Sequence, residues 1–241
     1  IRRPMSEIVD LSQEIYHKHP LHHVHPPTVM WTHHTYEEAE RILGDALGTD
    51  DPPWSWTSNV LQMNEHASTH VDALAHLGPG GKTIEEMSFD RFYGPGKAIS
   101  ITHYDGESDA VISVEDMKTA CDEAGITVEE GDILLIDTGH YEETYPDPAY
   151  SENYIGLSAE ATEWMVEKGV VNFGVDAPGP DNANDNTYPV HQVCRDEGLP
   201  HRENLKNIDE VVGEEFTFSG LPLKIREGSG GPMRAVAILD G

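Results

Sequence analysis

The eleven residues from His66 to His76 contain three histidines and one aspartate, and they restrict the possible folds more than any other segment. Imidazole and carboxylate groups together are ligands that zinc and manganese bind. On a straight strand the four side chains would share one face, but His66 and His70 would lie about 13 Å apart. Ligands of one ion cannot be so far apart, because each metal–ligand bond is about 2 Å long. The spacing therefore predicts a bend near Ser68–Thr69, followed by an extended piece in which His70 and Asp72 point the same way.

Two other interpretations of this segment fit its residues less well. In a continuous helix His66 and His70 would share a face, whereas Asp72 would point elsewhere. A purely structural role suits a single histidine, but three histidines around one aspartate in so short a segment favour a metal site. We therefore predict that the segment binds a metal ion.

The segment resembles the H-x-G-T-H-x-D-x-P-x-H signature of the cyclase family, which includes bacterial kynurenine formamidases and isatin hydrolases. Ser68 stands where the family usually has glycine, and Leu74 stands where the formamidases usually have proline. The metal-binding positions of the signature are intact. Further resemblances follow in matching order along nearly the whole chain, at Asp10–Ser12, Gly174–Ala177, Glu203–Leu205 and the Gly-rich closing run Gly228–Leu239.

The resemblance implies an α/β fold in one domain that spans residues 1–241. The family has a compact, barrel-like mixed sheet flanked by helices, in a swivelling β/β/α arrangement. Its members usually form dimers or tetramers, so the resemblance implies a homodimer or homotetramer in which a neighbour's loop can complete the pocket.

Capping residues and apolar patterns predict helices at 35–47, 113–124, 158–168 and 189–197, and strands at 6–12, 97–103, 132–137, 170–175, 216–218 and 223–225.

The resemblance also implies a set of five metal ligands: His66, His70, Asp72, His191 and Glu203. They would hold one or two Zn²⁺ or Mn²⁺ ions, with carboxylates bridging the two sites. His201 competes with His191, because it lies two residues before Glu203 and would share its face in an extended segment. The family pattern favours His191 as the ligand.

His76 is the remaining histidine of the segment, four residues after Asp72. A metal ion lowers the pKa of a bound water from 15.7 to about 7, which gives a hydroxide that can attack an amide carbonyl. The leaving nitrogen then needs a proton. We predict that His76 acts as general base and then general acid, a role worth about 10²–10⁴-fold in rate. The alternative is that His76 is a fourth metal ligand.

These features predict a metal-dependent amide hydrolase, with the arylformamidase reaction on N-formylkynurenine, giving kynurenine and formate, as the leading candidate. An isatin hydrolase-like opening of a cyclic amide is the first alternative. A non-catalytic metal-binding protein is the second, although a storage site needs no proton-transferring residue such as His76. The chain has no Gly-x-Ser-x-Gly elbow, no Gly-x-Gly-x-x-Gly turn and no P-loop, so a serine hydrolase and a nucleotide-driven enzyme have no support.

A histidine-rich stretch and a pair of tryptophans are candidates for the substrate pocket. Residues 16–34 hold seven of the fourteen histidines and several prolines, which predicts an irregular polar loop; a second metal site there is the alternative. The resemblance implies that this loop, including His22, walls the pocket. Trp54 and Trp56 precede a predicted strand that leads into the metal-binding segment. They would form an aromatic wall for a planar substrate or, alternatively, belong to the core.

The chain has 44 acidic residues against 15 basic ones, for a formal net charge of −29. Nucleic acid and anionic membranes need a basic surface, so the composition argues against both as partners. Because the acids are spread along the chain, we predict a halophilic protein.

The absence of a long apolar run and of a signal-peptide core leads us to expect a cytoplasmic location. Cys121 and Cys194 are too few for a disulfide scaffold and are predicted to be packed thiols, with a metal role for Cys194 as the alternative.

Overall fold

A nine-stranded mixed sheet forms the framework of the part of the chain that the computed structural model describes, residues 6–103 and 110–239. The strands are β1 (Glu7–Asp10), β2 (Val29–His34), β3 (Ser58–Gln62), β4 (His70–Asp72), β5 (Tyr93–Ser100), β6 (Ile133–Asp137), β7 (Asn172–Val175), β8 (His201–Glu203), β9 (Phe216–Ser219), β10 (Gly230–Pro232) and β11 (Val236–Leu239). The α-helices are α1 (Tyr36–Leu47), α2 (Leu74–Leu77), α3 (Val114–Ala124), α4 (His140–Thr144), α5 (Ala159–Glu167) and α6 (Pro189–Glu197). Short 3₁₀ turns lie at Ile84–Glu86, Phe89–Arg91, Pro148–Ser151 and Asp209–Val211.

The large sheet has the strand order β1-β11-β9-β5-β6-β7-β8-β4-β10, while β2 and β3 form a separate antiparallel pair. The central strands β5 to β8 run parallel to one another. The strands on either side of this block pair in antiparallel fashion. The sheet curls into a half barrel flanked by helices, which confirms the predicted α/β fold.

The buried strand β6 separates two apolar layers. Ile133 and Leu135 pack with side chains of β9 and β11 on one face. Leu134 and Ile136 pack on the other face with side chains of α3 and α5. A strand covered on both faces is apolar throughout, and this explains the continuous apolar run that predicted it.

Helix termini follow the capping pattern of the sequence. Thr35 and Ser113 each form a capping box with the residue three positions later, at the start of α1 and α3. Gly48 and Gly125 end these helices in the left-handed conformation, with φ of +67° and +68°. The predicted helices therefore form where expected, and α6 has the predicted bounds. No helix within the described residues is long and apolar enough to cross a bilayer.

Three details of the strand prediction were wrong. The segment 16–34 is not irregular throughout, because its last six residues form β2, whose backbone pairs with β3. The strand predicted at 97–103 begins earlier, at Tyr93, because β5 also pairs with β9 over that stretch. The alternating stretch 223–225 is not a strand; Leu223 is exposed and only the neighbouring Pro222 makes an isolated bridge. Cys121 and Cys194 are both buried in the helix-side layer, as predicted for packed thiols.

Candidate metal centre

Two adjacent antiparallel strands bring the central ligands together. His70 on β4 pairs directly with Glu203 on β8. Asp72 lies two residues after His70, so alternation along β4 turns both toward the same side. His201 stands in the same relation to Glu203 on β8. All four side chains are buried, which makes their charges expensive unless they are compensated within the cluster.

The predicted bend lies at Ser68, whose backbone is left-handed with a φ of +59°. The Ser68 hydroxyl donates to the carbonyl oxygen of Gln13 at 3.2 Å and holds the turn in place. The turn folds the chain back so that His66 Nδ1 lies 2.6 Å from Asp72 Oδ1. Glycine adopts this conformation most readily, so the glycine of the family signature meets the same backbone demand. Leu74 is the first residue of α2, a position where proline is also tolerated.

The hydrogen bonds of His70 determine which ring nitrogen carries the proton. Nδ1 donates to the carbonyl oxygen of Ser68 at 2.9 Å, so the neutral ring has its lone pair on Nε2. This Nε2 has no hydrogen-bond partner among the described residues. It lies 3.2 Å from Asp72 Oδ1 and 3.4 Å from Glu203 Oε2. A lone pair directed at two carboxylate oxygens requires a positive charge between them, and a divalent cation supplies one.

His66 is held in the same way from outside the centre. The Ser229 hydroxyl donates to Glu65 Oε1 at 2.5 Å and therefore accepts from His66 Nε2, which lies 2.9 Å away. The lone pair of the neutral ring is then on Nδ1, the atom that faces Asp72. Strand β10 passes so close to this ring that a Cβ at Gly230 would lie 2.6 Å from His66 Cε1. The Gly-rich closing run thus leaves room for the imidazole.

His191 approaches from α6, with its outer nitrogen bound by Asp181. Nδ1 donates to Asp181 Oδ2, and the inward Nε2 lies 4.0 Å from Asp72 Oδ2 and 3.9 Å from Glu203 Oε1. Burial by itself lowers the pKa of His191, but the hydrogen bond to Asp181 and the charges of Glu203 and Asp72 raise it to about 9. The surroundings therefore favour positive charge at this position as well.

Asp72 and Glu203 each direct one carboxylate oxygen toward His70 and the other toward His191. Asp72 Oδ1 and Glu203 Oε2 face His70, whereas Asp72 Oδ2 and Glu203 Oε1 face His191. Carboxylates that bridge two ions about 3.5–4 Å apart have this arrangement. The five predicted ligands thus meet in one buried cluster of imidazole nitrogens and carboxylate oxygens. This donor set fits one or two divalent ions of the type that Zn²⁺ and Mn²⁺ represent.

His76 lies at the edge of the centre, on α2. Its Nε2 is 3.5 Å from Asp72 Oδ2, and its side chain is one-third exposed. Burial lowers the pKa of His76, and this effect outweighs the charge of Asp72, which raises it. His76, Asp72 and His66 together form a second group that can hold a metal ion. The position is compatible with both predicted roles, proton transfer and metal ligation.

A cavity of about 310 Å³ opens onto this centre. Its lining includes residues of the His-rich segment, an aromatic side chain before α5 and side chains of the loop before α6. Among the described residues these are His22, His23, His25, Tyr154, Asp181, Asn182, Asn186 and Tyr188. His25 stacks on His66 with ring centroids 5.2 Å apart. The irregular part of the His-rich segment thus borders the metal centre. None of the potential metal-binding groups of three or more residues found in the described ranges includes it.

Trp54 and Trp56 do not line this cavity. They pack against each other beside the β2–β3 pair, with ring centroids 5.1 Å apart, and Trp54 is 59% exposed. Within a single chain the two tryptophans are therefore neither a pocket wall nor ordinary core. Proximity in sequence to β3 suggested the pocket, but the β2–β3 pair is separate from the sheet that carries the ligands.

Sequence reasoning missed the residues that support the ligands. Asp181 lies ten positions before His191, and Ser229 lies 163 positions after His66. Neither residue type is distinctive at such a spacing, so no local pattern could have identified them. His201 was named as a competitor of His191, which the family pattern favoured, and its orientation depends on whether residues 201–203 are extended. The structure answers this, since they form β8.

Known proteins resemble this chain over most of its length. The model of the Cyclase family matches residues 9–182. A kynurenine formamidase from Paracidovorax citrulli is 30% identical over 178 residues, covering 74% of this chain and 78% of the relative. One from Salinibacter ruber is 24% identical over 200 residues, covering 78% of this chain and 88% of the relative.

Solved structures share the fold over nearly the whole chain. An isatin hydrolase bound to the product analogue thioisatinate superposes with a TM-score of 0.81 at 20% identity, covering 98% of this chain and 93% of that one. Isatin hydrolase A from Ralstonia solanacearum superposes with a TM-score of 0.78 at 24% identity, covering 97% and 92%. The match of the family model over most of the chain and the 30% identity to a relative together show that the chain belongs to the cyclase family.

Proposed function

We propose that this protein is a metal-dependent amide hydrolase, with an aryl formamide of the N-formylkynurenine type as its leading substrate. The observation that carries the proposal is the convergence of three imidazole lone pairs on two shared carboxylates, beside an open cavity. The relatives named as kynurenine formamidases support the formamide as substrate. Zn²⁺ and Mn²⁺ are the proposed cofactors, because both suit mixed imidazole and carboxylate ligands.

The residues of the chain would share the work as follows. A bound Zn²⁺ or Mn²⁺ supplies Lewis-acid chemistry, which acidifies water and polarises a carbonyl oxygen. His66, His70 and His191 would hold the ions, and Asp72 and Glu203 would neutralise their charge. These five side chains are oriented in advance by hydrogen bonds and by strand pairing, so little reorganisation is needed during the reaction.

His76 is the proposed proton carrier. Its lowered pKa keeps the ring neutral near pH 7, so that Nε2 can accept a proton from the attacking water. The same ring can then donate that proton to the leaving nitrogen. His76 also reaches the cavity, where a substrate would lie, whereas His70 and His201 are fully enclosed. Its side chain is 33% exposed, against 23% for His191, 4% for His66 and 1% for His70, so His76 is the most accessible of these histidines.

The lining of the cavity favours a second candidate substrate. No lysine or arginine is present among the described residues that border it. The amino-acid carboxylate of a kynurenine would thus lack a permanent cationic partner within one chain. An uncharged cyclic amide, such as isatin, needs none. The fold shared with isatin hydrolases is compatible with this alternative, and the same metal and proton-transfer groups would serve both reactions.

We also propose that the protein is a homodimer or homotetramer. Around the β2–β3 pair and α1, large apolar side chains are exposed: Trp31, Tyr36, Leu47, Trp54 and Leu61. Exposed apolar groups concentrated in one region are typical of surfaces that pack against another protein. Light scattering coupled to size exclusion in high salt tests this proposal. A monomer over a wide concentration range would contradict it.

The decisive experiment compares initial rates on N-formylkynurenine and isatin, with metal-free protein and after addition of Zn²⁺ or Mn²⁺, in KCl-rich buffer. A metal-dependent rate on the formamide that His76→Ala abolishes supports the leading proposal. A rate on isatin alone supports the second candidate. Metal binding without hydrolysis of either amide would instead indicate a non-catalytic metal-binding protein.

A further inference from the structure

We propose that His201 is a metal ligand, so that the half of the centre on the His191 side is completed by two imidazoles and two carboxylate oxygens. The inference rests on the proposed metal-dependent function and extends it. It assigns a role to a histidine that the five-residue ligand set leaves out.

The position of His201 Nε2 carries the proposal. This atom lies 3.5 Å from Asp72 Oδ2 and 3.2 Å from Glu203 Oε1. Two ligands on a tetrahedral ion with bonds of about 2.1 Å are separated by about 3.4 Å. The two spacings therefore match those around one ion. Asp72, His191, His201 and Glu203 each offer a ligand atom, and these four atoms lie within 4.8 Å of one another.

The surroundings hold the imidazole in this orientation. His201 is completely buried. Its ring stacks on Phe173 of the neighbouring β7, with centroids 5.7 Å apart, and meets the ring of His191 edge-on at 4.7 Å. Its outward nitrogen, Nδ1, has no hydrogen-bond partner among the described residues. The polar contacts found for this ring are thus all on the Nε2 side, where the two carboxylates lie.

A simple hydrogen bond to Glu203 is the competing role for His201. In that case Nε2 would carry the proton and donate to Glu203 Oε1. A single N–H would satisfy mainly one oxygen, whereas Nε2 faces oxygens of two different carboxylates. Those same two oxygens also face His191 Nε2, the lone-pair nitrogen of a second ring. A cation placed among the four atoms satisfies all of them at once, and a proton on His201 does not.

The two roles make opposite predictions for a glutamine at this position. Glutamine keeps an N–H donor at a reach similar to that of Nε2, but it removes the imidazole ligand. Loss of even an outer-shell partner lowers metal affinity by about 10–100-fold. If His201 is a ligand, His201→Gln should weaken one of the two metal equivalents at least tenfold. If it is only a hydrogen-bond donor, the substitution should leave both affinities nearly unchanged.

The test is a titration of metal-free protein with Co²⁺, followed by visible absorption and by metal analysis after gel filtration. Wild type should bind two equivalents. His201→Gln should keep one of them and lose at least tenfold in affinity for the other, with a changed absorption band. His33→Gln changes an exposed histidine on β2, outside both the cavity and the ligand group, so it is the matched control and should bind like wild type. Equal affinities for His201→Gln and wild type would overturn the assignment.

A measurement on the wild-type chain avoids any dependence on the folding of a variant. In zinc-loaded protein with ¹⁵N-labelled histidine, His201 should show a metal-bound Nε2 and a protonated Nδ1. A proton on Nε2 in the loaded protein would overturn the proposal. If wild type takes up no ion at all, the proposed metal-dependent function fails as a whole. If it takes up two and His201 remains protonated at Nε2, only the present inference fails.

Discussion

His70 on β4 and Glu203 on β8 lie directly opposite each other in the sheet, and their side chains meet with His70 Nε2 3.4 Å from Glu203 Oε2. The two residues are 133 positions apart in the chain, so correct pairing of β4 with β8 is what brings them together. Formation of the metal centre and closure of this part of the sheet are therefore one structural event. A metal ion bound there should stabilise the folded state, because the unfolded chain has no such site.

His70→Ala should remove metal from the centre. The substitution deletes the lone-pair nitrogen that lies between Asp72 and Glu203 and leaves the two carboxylates facing each other. Metal analysis after dialysis should show at most one ion per chain, and the increase in melting temperature on addition of Zn²⁺ should become smaller. A variant that binds metal as wild type does would show that His70 is not a ligand.

His76→Ala should keep its metal but lose most of kcat, by about 10²–10⁴-fold. His76 lies at the edge of the cavity and is not one of the five predicted ligands, so its removal leaves those ligands in place. Metal content and the rate of amide hydrolysis are measured on the same preparation. Loss of one metal equivalent together with the activity would instead assign His76 as a ligand.

Local features of the fold could be predicted because their physical causes are local. Thr35 and Gly48 bracket α1 through side-chain capping and a left-handed turn, both of which depend on neighbouring residues. The bend at Ser68 followed from the length of a metal–ligand bond. The layout of the whole domain came from resemblance to the family, since periodicity does not specify strand order.

The remaining features depend on contacts that the sequence does not encode locally. Asp181 and Ser229 support ligands only because the fold brings distant loops beside them. Trp54 was predicted as a pocket residue because it precedes β3. That strand pairs with β2 in a separate two-stranded sheet and not with the strands that carry the ligands. The stretch 223–225 alternates like a strand but does not extend the isolated Pro222–Met233 bridge, because Ile225 N donates locally to Leu223 O.

Asp181→Asn should weaken metal binding by about 10–100-fold without unfolding the protein. Asp181 accepts from the backbone N–H of Val190 at 2.7 Å, and asparagine keeps an oxygen for that contact at the start of α6. Its amide would instead donate to His191 Nδ1, which moves the ring proton to Nε2 and removes the inward lone pair. Metal titration measures the effect. Asp185→Asn, which removes an exposed loop carboxylate, is the control and should bind metal like wild type.

Asp176 should make the protein less stable as the pH rises from about 4 to about 7. Burial raises the pKa of Asp176 to about 7, although hydrogen bonds from Thr138 act in the opposite direction. The folded state therefore holds a proton that the unfolded state has already released in this range, so unfolding becomes easier with rising pH. One proton held by the folded state alone changes the free energy of unfolding by about 1.4 kcal/mol per pH unit.

Asp176→Asn tests this pH dependence, because asparagine retains an oxygen for the contacts with Thr138 and cannot ionise. Urea unfolding at several pH values between 4 and 8 should give a flatter profile for the variant than for wild type. Metal-free protein is used for both, so that titration of the metal ligands does not differ between them. Parallel profiles would show that Asp176 is ionised in the folded state throughout.

The melting temperature should rise with KCl concentration. The formal net charge of −29 arises from acidic residues spread along the chain, so their mutual repulsion opposes folding unless it is screened. Screening lengths fall from about 10 Å at 0.1 M salt to about 3 Å at 1 M, which weakens repulsion between neighbouring surface carboxylates. Melting curves at pH 7.5 from 0.1 to 3 M KCl measure the effect. The same series near pH 4.5 is the control, because partial protonation of the carboxylates should reduce the dependence on salt. A melting temperature that stays constant or falls with KCl at pH 7.5 would contradict a halophilic protein, since the repulsion would then be too weak to influence stability.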